Sequence, residues 1–243
     1  MPLPHPSASL ATPSLANVFD RLLADIVTGT YPPGARLPAE RDLSRLLGAS
    51  RPTLREALRR LGEWGMVRPR RGSGVEVRPI FEWSVDVLPT YLQKGAPLET
   101  LGPLVRDVLV LRKVVLLEVI RLVAPRLDRN KLAPARAAVE RAWAARHDIA
   151  RFVAEDFECI RAIARAADAL PAVWMLNTIS GVYLEIAKTM TGAAMVPDDY
   201  LDTYRYVLAA LDSGNGIAAA DALGRYFDHY DRRLMSAFAE VAP

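Results

Sequence analysis

The sequence predicts a mainly α-helical protein with an N-terminal winged helix-turn-helix and a C-terminal antiparallel bundle of about seven helices. Residues 38–61 contain two segments of helical apolar spacing separated by Gly48. A glycine ends a helix readily because it adopts a left-handed conformation at no steric cost. Residues 65–77 place two short β-prone runs around Gly72-Ser73-Gly74, which is the pattern of a hairpin. From Val85 onward every periodic segment has helical spacing.

The second helix of the predicted helix-turn-helix has a capped start and a basic outer face. Ser50 can cap it, and Pro52 lies in its first turn, where a missing N–H costs little. The outer face carries Arg51, Thr53, Arg55, Arg59 and Arg60. Arginine can bind guanine O6 and N7 with two hydrogen bonds, and threonine can contact a phosphate, a base edge or the thymine methyl group. This face therefore predicts recognition of the DNA major groove.

A solvated basic helix in an ordinary bundle is the alternative interpretation of this segment. The hairpin that follows directly favours DNA binding instead, because its tip is basic, with Arg68, Arg70 and Arg71. Arginines on a glycine-containing tip can pair with phosphates or enter the minor groove. A helix-turn-helix followed by a basic hairpin predicts a winged DNA-binding domain.

The distribution of charge along the chain agrees with an N-terminal DNA-binding domain. The net charge of the chain is +3, with +5 on residues 1–79 and −2 on the remainder. The single cysteine, Cys159, can form no intrachain disulfide and indicates no oxidising compartment. No segment approaches the roughly 18 uninterrupted apolar residues of a membrane span, and the N-terminus lacks the features of a signal peptide. We expect a soluble cytoplasmic protein that does not contact membranes.

Residues that interrupt secondary structure predict the limits of the domains. Pro79 breaks the second wing strand, while Ile80, Phe81 and Trp83 are apolar enough to predict a linker that docks on the second domain. The predicted parts are a disordered tail (1–13), the winged helix-turn-helix (14–78), the linker (79–83) and the helical domain (84–243). The predicted helical spans of the last part are 84–93, 98–127, 130–146, 148–168, 171–190, 198–212 and 216–241.

The N-terminal motif resembles a known family. The stretches Tyr31-Pro32-Pro33-Gly34-Ala35-Arg36-Leu37-Pro38-Ala39-Glu40-Arg41-Asp42-Leu43-Ser44 and Gly48-Ala49-Ser50-Arg51-Pro52-Thr53-Leu54-Arg55 resemble the GntR superfamily of bacterial transcription regulators. The resemblance covers about residues 14–78. It implies DNA contacts at Arg41, Arg51, Thr53, Arg55 and Gly72, to which the basic wing tip adds Arg71. The family more often has a hydroxyl or small residue where this chain has Pro52.

The C-terminal half resembles the FadR subfamily of these regulators. Most of its members carry an FCD domain, in which one aspartate and three histidines hold a metal. Asp156 matches the aspartate, but Ile160, Tyr204 and Tyr226 stand where histidines are expected. The resemblance is therefore closer to the fatty-acid regulators of the subfamily, which bind long-chain acyl-CoA and then leave DNA. We predict no metal and no cofactor.

Five residues are predicted to line an effector site in the bundle: Arg112, Asp156, Tyr183, Tyr204 and Tyr226. Arg112 is a cation in an otherwise apolar central helix and suits a carboxylate or phosphate. The alternative is that Arg112 forms a structural ion pair with Asp156 or another acid, and that the tyrosines are core aromatics.

The resulting prediction is a homodimeric transcription regulator that binds a palindromic operator and responds to a metabolite. Long-chain acyl-CoA is the candidate effector, and a small carboxylate such as a sugar acid or organic acid is the alternative. An enzyme is disfavoured because we find no catalytic triad and no glycine-rich phosphate loop. A purely architectural DNA binder would have no use for a large apolar bundle.

Overall fold

The computed structural model describes residues 13–70, 74–189 and 196–241, and the chain forms two compact units, Met1–Ala96 and Pro97–Pro243. The predicted tail lies outside the described residues except for Pro13. The elements of the first unit are α1 (Leu15–Val27), α2 (Glu40–Leu46), α3 (Arg51–Glu63), β1 (Val67–Arg70), β2 (Gly74–Val77) and the short α4 (Leu88–Thr90).

Local signals in the sequence set the limits of the first three helices. Ser14 caps α1 by accepting a hydrogen bond from the Asn17 amide, and Ser50 caps α3 by accepting one from the Thr53 amide. Gly48 adopts a φ of 64° in the turn between α2 and α3. The apolar faces of the three helices meet in one core, which includes the fully buried Leu22 and Leu54.

The wing is an antiparallel pair in which Val67 lies opposite Val77 and Arg70 opposite Gly74. A third segment extends this sheet, since the Leu37 amide donates to the Val75 carbonyl at 2.9 Å and the Val77 amide donates to the Ala35 carbonyl at 2.9 Å. Valines on one side of the wing face the core, and the opposite side is left for charged residues.

The segment after the wing packs onto the first unit. The Ser84 amide donates to the Trp64 carbonyl at 2.8 Å. Gly95 passes so close to α1 that a Cβ there would lie 2.3 Å from Val27 Cγ1. The compact unit therefore extends to Ala96, whereas the sequence placed the helical domain from residue 84 and expected residues 79–83 to dock on it.

The second unit is an all-helical bundle in its described residues. It contains α5 (Leu98–Val123), α6 (Ala133–Ala144), α7 (Ile149–Ala166), α8 (Leu170–Thr189), α9 (Tyr200–Asp212) and α10 (Gly216–Val241). The closest helix pairs are α6 with α7, α7 with α8, and α10 with both α5 and α9. Six of the seven predicted spans match these helices. The span 84–93 instead forms short turns and α4 of the first unit.

One helix in the described part of the chain, Leu170–Lys188 within α8, has the length and mean hydropathy (1.2) of a membrane span, and 28% of it is buried. Its neighbour α7 carries buried Phe157, Ile160 and Ile163 on the bundle side. The low burial of so apolar a helix means that α8 presents an unusual amount of apolar surface.

Candidate functional site

The start of α3 presents a polar surface that its cap holds in place. Ser50 Oγ accepts from the Thr53 amide at 3.2 Å and lies 2.7 Å from Thr53 Oγ1. Pro52 occupies the first turn without loss of a helical hydrogen bond. The cap therefore fixes both the helix end and the position of the Thr53 hydroxyl.

Arginines near this helix start differ in their partners. Arg51 is exposed and forms no ion pair with any described residue. Arg55 donates from Nε to Glu40 Oε2 at 2.8 Å, and Arg41 lies 3.4 Å from an oxygen of Asp42. All three are exposed, so each is accessible to DNA.

The arginines further along α3 are neutralised by acids of the same helix. Arg59 pairs with Glu56 and Glu63, and Arg60 with Glu56. The hydrogen bond from Arg59 lowers the pKa of Glu56 to about 2. Such pairs at helical spacing are typical of a solvated helix surface. Among the four arginines of α3, Arg51 forms no ion pair with a described residue, whereas Arg55 pairs with Glu40 and the other two pair within α3.

The outer side of the wing holds a carboxylate among arginines. Glu76 Oε2 lies 3.6 Å from Arg68 Nε and 3.3 Å from Arg70 Nε, and its side chain is 13% exposed. Arg36 lies opposite Glu76 on the third segment. Sequence reasoning missed Glu76, although cross-strand pairing of residues 68 and 76 would have indicated it. The predicted contacts Arg71 and Gly72 lie outside the described residues.

Helices α7 and α9 bring Asp156 together with tyrosines. The Tyr200 hydroxyl donates to Asp156 Oδ1 at 3.1 Å. Burial raises the pKa of Asp156 above its usual value. The Tyr204 hydroxyl of the same helix as Tyr200 is also buried, and it has no hydrogen-bond partner among the described residues.

The tyrosine rings form one connected cluster. The ring centroids of Tyr200 and Tyr204 are 4.4 Å apart, and Tyr226 lies 5.8 Å from each of them. Tyr226 also stacks on Tyr230 at 6.2 Å. Burial raises the pKa of Tyr200, Tyr204 and Tyr226, so these phenols stay neutral and can donate hydrogen bonds.

Arg112 lies at the other end of this cluster. Its guanidinium carbon is 4.6 Å from the Phe227 ring centroid, 5.6 Å from that of Tyr230 and 5.8 Å from that of Tyr183. Its Nη2 donates to Asp231 Oδ1, while its Nε is buried without a partner among the described residues. The side chain of Arg112 is 10% exposed.

The five predicted effector residues therefore belong to one connected cluster of aromatic and charged side chains inside the second unit. Arg112 contacts Tyr230, which stacks on Tyr226, and the other rings lead to Asp156. Tyr183 joins through Phe157, whose ring is 5.6 Å from its own, and its hydroxyl donates to the Val108 carbonyl. Sequence reasoning missed Tyr200, Tyr230 and Asp231. The partner of Arg112 is Asp231, one of the alternatives left open, and not Asp156.

The positions that correspond to a metal site do not suit a metal. Ile160 is buried and offers no donor, and the phenols of Tyr204 and Tyr226 are held neutral. Within residues 13–70, 74–189 and 196–241, no group of three or more histidine, cysteine or carboxylate side chains could hold a metal ion. Asp156 alone is a poor ligand set for a divalent cation.

A capped basic helix followed by a wing, together with an all-helical second unit, is the architecture of a DNA-binding transcription regulator. Comparison with known families agrees. Residues 15–77 match the family described as bacterial regulatory proteins, gntR family, and residues 107–229 match the FCD domain. The chain belongs to the GntR family, with a C-terminal FCD domain, and its family and relatives are regulators and not enzymes.

Individual relatives support the same assignment. The chain is 30% identical over 230 residues to the HTH-type transcriptional regulator Mce2R of Mycobacterium tuberculosis, covering 93% of both chains. It is 31% identical over 168 residues to the fatty acid metabolism regulator protein of Edwardsiella ictaluri, covering 69% of this chain and 68% of that one. The solved structure of Lar, which controls the expression of the Listeria monocytogenes agr system, shares the fold with a TM-score of 0.58 and 18% identity, covering 93% and 97%.

Proposed function

We propose that this GntR-family regulator binds a palindromic operator as a homodimer and responds to a metabolite bound in its FCD domain. The observation that carries the DNA-binding part is Arg51 beside Arg55 at the capped start of α3, because Arg51 is exposed and has no ion pair within the described part of the chain. Such a helix start enters the major groove in helix-turn-helix proteins, where arginine reads guanine. Two copies related by a two-fold axis would read two half-sites.

Exposed apolar residues on α5 and α8 support a dimer through the helical domain. Leu111 is 64% exposed on α5, with Val110 and Val114 beside it, and Trp174 is 64% exposed on α8. The two helices are neighbours, because the Tyr183 hydroxyl of α8 reaches the Val108 carbonyl of α5. Large exposed apolar patches are typical of association surfaces. Leu111→Asp should lower the dimer fraction in light scattering, whereas Tyr206→Asp on α9 should leave it unchanged.

Long-chain acyl-CoA is the effector that we propose first. The cluster around Arg112 and Asp156 combines one buried guanidinium with the buried Tyr204 hydroxyl, which has no partner among the described residues; within an apolar bundle this suits a ligand with an apolar chain and a polar carbonyl. A relative over two thirds of the chain is named a fatty acid metabolism regulator. A small carboxylate is the second candidate, because the unpartnered Nε of Arg112 is a donor for anions.

The experiment is fluorescence anisotropy on the DNA upstream of the gene that encodes this protein, at fixed salt. Salt must be fixed because phosphate contacts make the affinity steeply dependent on ionic strength. Release by micromolar acyl-CoA and not by free CoA would support the first effector. Tight binding that ignores acyl-CoA but responds to a small carboxylate would support the second. Absence of sequence-preferring binding would overturn the proposed function.

Arg112→Ala separates the sensor from the reader. We expect the variant to bind operator DNA with unchanged affinity and to lose the effector response, since Arg112 lies in the helical unit. An unchanged response would remove Arg112 from the effector site. Arg121→Ala is the matched control, because Arg121 lies on the same helix but is about half exposed and pairs with the neighbouring Glu118.

A further inference from the structure

The positive charge of Arg112 is already compensated within the bundle. Its Nη2 donates to Asp231 on α10, and the two side chains are 10% and 17% exposed. One turn earlier on α10, Asp228 lies 2.5 Å from Lys113 Nζ, so two parallel ion pairs join α5 to α10. The Arg112 pair is the buried one, and the Lys113 pair is largely open to solvent on its acidic side.

Two buried hydrogen-bond donors of this cluster are not used within the described part of the chain. Arg112 Nε and the Tyr204 hydroxyl are both buried and lack partners among the described residues. Asp156 adds a second carboxyl group to the same cluster. A ligand bound against this cluster would therefore meet one N–H and one O–H donor, but no uncompensated cation.

We propose that Asp231 determines the charge of the effector: as the built-in counter-ion of Arg112, it makes the site reject carboxylates and accept a neutral acyl carbonyl. This inference rests on the proposed effector site. A carboxylate would have to displace Asp231, which would leave a partly buried acid without its partner, or add a negative charge beside it. Both are costly in a poorly solvated interior. A neutral carbonyl needs only a donor.

The inference is tested by calorimetric titration of the full-length protein with octanoate and octanamide, which share an alkyl chain and differ in the charge of the head group. Wild type should bind octanamide at least about tenfold more tightly than octanoate. Asp231→Asn removes the counter-ion, and it should raise the affinity for octanoate by about tenfold or more while changing that for octanamide little. Asp228→Asn, the matched control on the same helix, should alter neither affinity.

Because Asp231→Asn leaves a buried cation unpaired, its folding is checked by a melting experiment and by a second variant. Octanoate should raise the melting temperature of Asp231→Asn more than that of wild type, because it replaces the lost carboxylate. Arg112→Gln in the Asp231→Asn background removes the cation as well, and it should abolish the gain in octanoate affinity.

Three results would overturn the inference: equal affinity of wild type for both probes, no selective gain for octanoate in Asp231→Asn, or binding of neither probe by either protein. None of these touches the DNA-binding assay. A protein that still leaves its operator on addition of acyl-CoA would keep the proposed function, while the role of Asp231 would be lost.

Discussion

The two units of the molecule use arginine in opposite ways. In the DNA-binding unit, the arginines of α3 lie on the surface, and the ion pairs that they form with described residues span at most 15 residues of the chain. In the helical unit, Arg112 is buried among aromatic rings, and its partner Asp231 is 119 residues away in the chain. A surface charge is available to a polyanion and costs little to maintain. A buried charge is held against its own counter-ion, so in the proposed site it disfavours ligands that carry a competing negative charge.

The DNA-binding unit also depends on its backbone geometry, since the chain turns tightly after α3. Gly65 ends the turn after α3 with a φ of 71°, and a Cβ there would lie 2.3 Å from the Glu82 carbonyl oxygen. Gly65→Ala should therefore lower the free energy of unfolding by about 2–4 kcal/mol, through backbone strain and displacement of the following segment. Urea denaturation followed by tryptophan fluorescence measures it.

Gly62→Ala is the matched control for that change. Gly62 is helical, and an added Cβ would meet only the Val67 carbonyl oxygen at 3.7 Å, an ordinary contact. Alanine is favoured over glycine in a helix, so stability should stay the same or rise by about 0.5–1 kcal/mol. Equal losses in the two variants would show that a methyl group anywhere in this region is disruptive.

Specific recognition should depend on Arg51 at the capped start of α3 more than on the arginines further along the helix. Arg51→Ala should weaken operator binding by about 1–3 kcal/mol, roughly tenfold or more, and reduce the preference over unrelated DNA. Arg60→Ala removes an arginine of the same helix that is paired with Glu56. It should weaken binding less than Arg51→Ala does, and by the same factor for operator and unrelated DNA. Anisotropy with operator and scrambled duplexes distinguishes the two effects. Unchanged preference in Arg51→Ala would refute direct readout by this residue.

The same contrast explains what could be predicted from the sequence. The helix-turn-helix, the wing and six helices of the second unit follow from local caps, glycines and apolar spacing. The basic face of α3 was predicted for the same reason. The role of residues 79–96 was not, because Gly95 against Val27 and Ser84 against Trp64 are contacts between distant parts of the chain. The pairing of Asp231 with Arg112 could not be predicted either, because the two residues are 119 positions apart in the chain.

Within the helical unit, two tyrosines of one helix should respond differently to loss of their hydroxyl groups. Tyr200→Phe removes a hydrogen bond to Asp156 and should cost about 1 kcal/mol of stability. Tyr204→Phe removes a buried hydroxyl without a partner among the described residues, so stability should stay the same or rise slightly. Denaturation of both variants tests this. A larger loss for Tyr204→Phe would mean that its hydroxyl is bonded in the folded protein.

The smallest expected effect is a dependence of stability on pH that arises in the helical unit. Burial raises the pKa of Asp156 above its usual 3.8, so the folded protein takes up this proton at a higher pH than the unfolded chain does. Stability from this group therefore falls as the pH rises through that window, and is greatest below 3.8. Asp231, whose pKa burial also raises, contributes with the same sign. The exposed Glu56 contributes with the opposite sign below pH 4.5, because Arg59 lowers its pKa to about 2.

Asp156→Asn isolates the contribution of that carboxyl group, since the difference between variant and wild type cancels the other groups. The wild-type protein should gain stability relative to Asp156→Asn as the pH is lowered from 7 towards 4. Asp228→Asn, which removes a carboxylate that is 55% exposed, is the control for a simple change in net charge. Denaturation midpoints at several pH values supply the measurement. A difference that grows as the pH rises would mean that the fold stabilises Asp156 as an anion, which contradicts a raised pKa for this buried carboxyl group.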